Sequence, residues 1–325
     1  MRGDLRFSYF KLYKENLKKT KEEIKSYQFN RLKKLVIHAY RNVPYYTKLF
    51  DSIGFRPEDL KSLDDLKRIP ILDKKTILDN LSDLQSKKKY RMYEEISGGS
   101  TGNRVVIFKD KKYREMGRAA VMRDLYSVGV TPGDKVAWVW GSPLENRPLS
   151  ESILHKLNWR LNRRIIFNAL NYTDSKLHTW LTEDLRNFGP DYIYGYAKCI
   201  YEIAKFADRN KIKLPKIKKI ITSAQKLEKR KYIEEVFGCK VLDQYGCREV
   251  PAIAIEDDSY TMHSSDDFCI VELGEKKEVL LTPLESYGMP LLRYAVGDYG
   301  LVKKSPGKDN HPFNRFNISI GRTIE

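Results

Sequence analysis

The sequence predicts an α/β fold in three parts, and three observations carry that reading. Residues 91 to about 249 alternate short apolar runs with helical stretches, the pattern of strands and helices laid on a sheet. Residues 1 to about 90 read as a helical, partly irregular layer that must dock elsewhere to bury its apolar face. From about 250 the helical spacing stops and short strands take over, so residues 250–320 are expected as a smaller β-rich unit.

Taken in order, the first signal is Thr20-x-x-Glu23, a capping box that opens a helix. Ile24, Leu32, Leu35, Val36 and Ala39 follow at helical spacing, and Pro44 breaks the pattern. Pro57-Glu58-Asp59 predicts another short helix with proline at its start, and Asp73 predicts one with an aspartate cap. Strands are expected at Val105–Phe108, Val136–Trp140, Ile165–Phe167, Tyr192–Tyr194, Ile217–Thr222 and Val241–Gln244. Helices are expected near 111–127, 150–162, 174–187, 197–210 and 227–236, with Gly129, Gly189 and Gly238 as stops. Beyond 250, strands are expected at Cys269–Leu273, Glu278–Leu281, Leu291–Tyr294 and Tyr299–Lys303. Gly274 to Lys277 reads as a hairpin turn and Ser305 to Asn310 as a polar loop.

Composition narrows the function classes. The chain has 325 residues, 41% hydrophobic and 32% charged, as in a soluble globular protein. It contains no apolar run long enough to span a membrane and no apolar signal core behind Met1, so a cytoplasmic protein is expected. The net charge of +17 is spread along the chain without a polybasic arm, so it reads as a lysine-rich surface rather than a nucleic-acid interface. Such a field also gathers anionic substrates. Cys199, Cys239, Cys247 and Cys269 form no zinc spacing and read as reduced thiols. His263 lies near Asp266 and Asp267, which reads as a surface turn rather than a metal site.

Four short segments carry chemistry. Ser97-Gly98-Gly99-Ser100-Thr101-Gly102 stands directly before a strand. Asp243-Gln244-Tyr245-Gly246-Cys247-Arg248-Glu249 ends a strand, Arg293-Tyr294-Ala295-Val296-Gly297-Asp298 follows, and Gly321-Arg322 closes the series. Each alone is more often a turn than a site. Their conjunction, in this order, resembles the adenylate-forming superfamily of acyl-CoA synthetases, and within it the phenylacetate–CoA ligase group. The stretches "HAYRNVPYYTKLF", "FRPEDLKSLDDLKRIPIL" and "EVLLTPLESYGMPLLRYAVGDYG" resemble the branch of capsular polysaccharide biosynthesis proteins.

The resemblance implies the large N-terminal domain of that fold and two half-reactions. A carboxylate attacks the α-phosphorus of ATP to give an acyl-adenylate and pyrophosphate, and a thiol, by family default coenzyme A, then takes the acyl group. An amine or hydroxyl acceptor, or a non-catalytic nucleotide-binding role in a polysaccharide pathway, are the alternatives. The loop Ser97 to Gly102 would cradle phosphates with backbone N–H groups and hydroxyls, Thr101 among them. Tyr245 would lie against adenine, with Asp243, Gly246 and Ala224 shaping the slot. Glu249 would give one hard oxygen to Mg²⁺. Asp298 would accept hydrogen bonds from both ribose hydroxyls, and Arg322 would add a donor to ribose or phosphate. For the carboxylic acid, the resemblance points to Trp140, Tyr194, Gly195 and Ser223. Trp138 and Trp140 share a strand face, and for Trp138 core packing is the plainer expectation.

Three departures stand out. Asn103-Arg104 replaces the Pro-Lys that many relatives carry after the phosphate loop, and an arginine fork is not a lysine point charge. Cys247 holds a position usually given to a small hydroxyl or aliphatic residue, and no basic partner marks it as a nucleophile. Residues 321–325 fall at the family's hinge into a C-terminal lid domain that carries a reacting lysine. The expectation is therefore a chain that binds MgATP and adenylates slowly, since one lost charged donor costs on the order of 10²–10³ in rate.

Overall fold

The computed structural model describes residues 5–96, 105–141, 163–300 and 311–315. Its first helices follow local signals. Helix α1 (Arg6–Asn16) precedes α2 (Lys21–Asn42). At the start of α2, Thr20 Oγ1 accepts the Glu23 N–H at 3.2 Å while Glu23 accepts the Thr20 N–H at 2.8 Å. Ile24, Leu32, Leu35, Val36 and Ala39 are all buried along it. Pro44 ends that pattern by starting the next helix, α3 (Pro44–Ser52), where its missing N–H would find no helical partner anyway. The Asp73 carboxylate caps α4 (Lys74–Asp79), accepting the Thr76 N–H at 2.7 Å. The helix expected at Pro57 is corrected to a single 3-10 turn, Pro57–Asp59: the Leu60 N–H returns only three residues, to Pro57, and the chain then extends.

The chain forms two units, Val128–Tyr245 with Glu256–Tyr260, and the remainder. In the first of these, strands β3 (Val136–Trp140), β4 (Arg164–Asn168), β5 (Tyr192–Tyr196), β6 (Lys219–Ser223) and β7 (Lys240–Tyr245) run parallel in the order β4-β3-β5-β6-β7. Helix α6 (Asp174–Thr179) passes through a π turn (Trp180–Leu185) into α7 (Arg186–Phe188), and α8 (Ala197–Arg209) and α9 (Arg230–Phe237) follow. Gly189 and Gly238 end helices at φ of +57° and +65°, where a Cβ would be strained. Ala137, Val139, Ile193, Ile220 and Val241 pack against Leu181, Ile200, Ala204 and Ile233 of these helices. Each fully buried Val, Leu or Ile side chain among them contributes roughly 1.5–3 kcal/mol.

The other unit holds α1 to α4, an antiparallel hairpin of β1 (Met92–Ile96) and β2 (Val106–Asp110), and α5 (Lys111–Ser127). It also holds short strands β8 (Ala254–Glu256, of which Glu256 falls in the other unit) and β9 (Met262–Ser264), and an antiparallel sheet of β10 (Cys269–Leu273), β11 (Glu278–Pro283) and β12 (Tyr294–Tyr299). The hairpin turn at Gly274 forms as expected, with the Gly274 N–H donating to Glu278 O at 2.9 Å.

Of the strand expected at Leu291–Tyr294, only Tyr294 is in a strand, as the start of β12, and Leu292 and Arg293 form a turn before it. Arg293 sits at φ +54°, held by its N–H on Thr282 Oγ1 at 2.8 Å and its guanidinium on the carbonyls of Lys67 and Ile69. The surface turn expected around His263 is also corrected, because His263, Asp266 and Asp267 are buried. Arg123 lies 2.7 Å from Asp267, Asn16 donates to Asp267 at 3.0 Å, and the His263 and His311 rings stack at 3.8 Å. Docking of α1 and α5 closes over this charge, and Arg123 neutralises it. Burial pushes the Asp266 carboxyl up to about 7.

Candidate functional site

Side chains at the carboxyl ends of parallel strands face the loops where ligands bind in α/β sheets. Here those ends carry Trp140, Asn168, Tyr196, Ser223 and Tyr245. Alternation puts Ala137, Val139 and Ile193 in the helix-covered core and turns Trp138, Trp140, Tyr194 and Tyr196 to the opposite face. There the Trp140 ring stacks on Tyr196 at 4.3 Å and on Tyr194 at 5.8 Å, and Trp138 lies 4.9 Å from Tyr194. Trp138 is thus half-buried in an aromatic shelf, not in the helix-covered core. The Tyr194 hydroxyl donates to Gln244 at 2.8 Å, tying β5 to β7 across β6 on this face. Gly195 has a packing reason of its own: a Cβ there would meet Val139 O at 2.5 Å.

Asp243 and Thr222 lie on the other face, beyond the end of the core. Thr222 Oγ1 donates to Asp243 at 2.7 Å, and the Asp243 N–H donates to Glu256 at 2.8 Å. Arg230 holds both Glu256 oxygens, at 2.7 and 2.8 Å. Burial, helped by the Glu256 charge and opposed by the Thr222 hydroxyl, pushes the Asp243 carboxyl up to about 7. Ser223 is buried, and Ala224 next to it takes φ +66°, a conformation rare outside glycine. So Asp243 and Tyr245 share one strand face, while Trp140, Tyr194, Ser223 and Gln244 share the opposite one.

In the unit that begins the chain, residues 246–251 form a tight loop. Gly246 is required there, because a Cβ would meet Pro251 O at 2.3 Å. The Cys247 N–H donates to Val250 O at 2.9 Å and the Val250 N–H to Cys247 Sγ at 3.3 Å. Lys109, paired with Glu95 at 2.8 Å, donates to the Arg248 carbonyl, and Tyr113 donates to the Glu249 carbonyl at 2.7 Å. The Tyr294 hydroxyl donates to Glu249 Oε1 at 3.1 Å. Burial first, then Glu249, hold the Cys247 thiol well above its usual range, so it is no thiolate nucleophile.

Glu249 is 4% exposed, and among the described residues no Lys, Arg or His pairs with it. A buried carboxylate with only neutral donors fits a hard divalent cation that keeps most of its waters. Asp298 is buried on β12, after Gly297 at φ +91°. The Lys74 ammonium lies 3.4 Å from where a Cβ on Gly297 would stand, half-buried and with no ion pair among the described residues. Sequence reasoning missed Lys74, whose polar helix start gives no sign of a site. It also missed Tyr294 as a partner of Glu249, although Tyr294 stands inside a quoted motif. Ser97, Gly98, Gly99, Ser100, Thr101, Gly102, Asn103, Arg104, Arg322, the 150–162 helix and the loop Ser305 to Asn310 lie outside the described residues.

No family model matches the chain. Among curated proteins, the phenylacetate-coenzyme A ligase of Escherichia coli (strain K12) is 26% identical over 310 residues, covering 88% of this chain and 68% of the relative. Protein CapK of Staphylococcus aureus is 24% identical over 301 residues, covering 89% and 66%. Among solved structures, an open conformation of 2-hydroxyisobutyryl-CoA ligase in complex with 2-HIB-AMP and CoA matches with a TM-score of 0.72 at 20% identity, over 90% of this chain and 74% of that one. The resemblance drawn from the motifs is borne out: this chain is a relative of phenylacetate–CoA ligases and of CapK, with the mixed α/β fold of the adenylate-forming CoA ligases.

Proposed function

We propose that this chain is an AMP-forming acid–thiol ligase of the phenylacetate–CoA ligase kind, acting on a small carboxylic acid, ATP and coenzyme A in the cytoplasm. The observation that carries the reading is the buried Glu249 carboxylate with no cationic partner among the described residues, in a chain 26% identical to a phenylacetate-coenzyme A ligase. Such a group is costly unless a cation completes it.

The chain's own residues have distinct tasks. Tyr245 packs against adenine, and Asp243 offers an acceptor to it. Asp298 receives the ribose hydroxyls, and Lys74, whose ammonium lies by Gly297, offers a positive charge to the phosphates. Ser97 to Gly102 give backbone and hydroxyl donors to the phosphates, and Arg322 gives another to ribose or phosphate. Glu249 holds magnesium, which when bound neutralises phosphate charge. Trp140, Tyr194, Gly195 and Ser223 orient the acid, and the aromatic shelf supports a flat or apolar acyl group. The acid's carboxylate oxygen bonds to the α-phosphorus as the bond to pyrophosphate breaks. The thiolate then bonds to the acyl carbon, and AMP leaves with the electron pair.

The test is pyrophosphate release by the full chain with ATP, Mg²⁺ and a panel of aryl and alkyl carboxylic acids, followed by thioester detection after adding coenzyme A. Acid-dependent release is expected. No release with any acid, from a protein that binds MgATP, would leave a nucleotide-binding role and refute the ligase.

A further inference from the structure

We propose that the Tyr294 hydroxyl is a positioning device that fixes the Glu249 carboxylate for its cation. The inference rests on the reading of Glu249 as the magnesium-holding carboxylate.

Tyr294 is fully buried, and among the described residues its hydroxyl makes one hydrogen bond, to Glu249 Oε1 at 3.1 Å. If the ring served packing alone, phenylalanine would fill the space without burying a hydroxyl. The ring is rigidly tethered. Tyr294 pairs with Leu281 in the antiparallel sheet and bridges to Leu72 on its other side. The target is rigid too, because Tyr113 and Lys109 hold the carbonyls of Glu249 and Arg248. What remains free is the glutamate side chain. A free glutamate has several rotamers, and ordering it on cation binding costs free energy.

The hydrogen bond from Tyr294 selects a single orientation in advance. A carboxylate has about four lone-pair sites, so the remaining ones stay available to a cation. The donor is neutral, so it orients the charge without cancelling it. Partners that orient a ligating group commonly tune metal affinity by roughly 10–100-fold.

The experiment is calorimetric titration of ATP into the full chain at a series of Mg²⁺ concentrations and in excess chelator. Tyr294→Phe is expected to raise the Mg²⁺ midpoint by about 10–100-fold and to leave metal-free ATP affinity unchanged. Tyr46→Phe is the structural comparator. It also removes one buried hydroxyl, which donates to Pro290 O at 3.0 Å. It should lower Tm and leave the midpoint in place. Glu249→Asp keeps the charge and withdraws the carboxylate from the Tyr294 hydroxyl, now 3.1 Å away; it should raise the midpoint too, and an unchanged Glu249→Asp midpoint overturns the proposal if Tyr294→Phe fails to fold. A Tyr294→Phe midpoint unchanged within about twofold, with a fall in Tm like that of Tyr46→Phe, overturns the proposal. A wild-type midpoint insensitive to Glu249→Gln overturns the reading beneath it, and the proposal with it.

Discussion

Replacing Asp243 with asparagine should make this protein more stable at pH 8 and change little at pH 4. The Asp243 carboxyl is pushed from 3.8 up to about 7, by burial first and then by Glu256. In the unfolded chain it ionises near pH 4. Between about pH 4 and 7 the folded state holds a proton that the unfolded state has lost, so stability falls as pH rises through that window. Roughly three decades in acid constant, at about 1.4 kcal/mol each, set an upper bound of about 4 kcal/mol on the loss.

The amide that replaces the carboxyl keeps an oxygen for the Thr222 hydroxyl, now 2.7 Å from Asp243, and removes repulsion from Glu256. The readout is urea unfolding by tryptophan fluorescence, and Trp138, Trp140 and Trp180 lie in the same unit as Asp243. The stability difference, variant minus wild type, should climb between pH 4 and 7 and level off above. A difference that stays flat within about 0.5 kcal/mol across that window would refute the argument, because it would mean an ordinary carboxyl.

Other consequences follow from packing and charge. Gly246→Ala drives a Cβ to 2.3 Å from a backbone oxygen. Overpacking of this kind costs about 1–3 kcal/mol, visible as a lower denaturant midpoint. Arg123→Met strands Asp267, now 2.7 Å away at no exposure. Breaking such a pair costs about 3–5 kcal/mol. The double variant with Asp267→Leu should recover much of the loss, and a double variant no more stable than Arg123→Met would count against the ion-pair account.

The sequence shows the fold where periodicity and caps speak locally. The Thr20 box, the Asp73 cap, the 111–127 helix and the five parallel strands all follow from neighbours within a few residues. It fails where distant partners decide. Arg293 takes a left-handed turn because carbonyls of residues 67 and 69 wait for its guanidinium. Strand β1 is half-exposed along its whole length, so no alternation marks it. His263 to Asp267 reads as polar surface because Arg123 and Asn16, which bury it, are remote in sequence. In the site, Glu249 and Asp298 are legible as motif residues, whereas the company is not: Tyr294 and Tyr113 reach Glu249, and Lys74 reaches Gly297, only through folding.

The most direct test is calorimetric titration of MgATP into this chain beside its Asp298→Ala variant. The account predicts saturable one-site binding by the wild type. The variant should weaken it by about 1.5–3 kcal/mol, roughly 10- to 150-fold, the worth of a hydrogen bond to a charged group. Equal affinity in both proteins, or no binding by the wild type, would contradict the nucleotide site on which the proposed function stands.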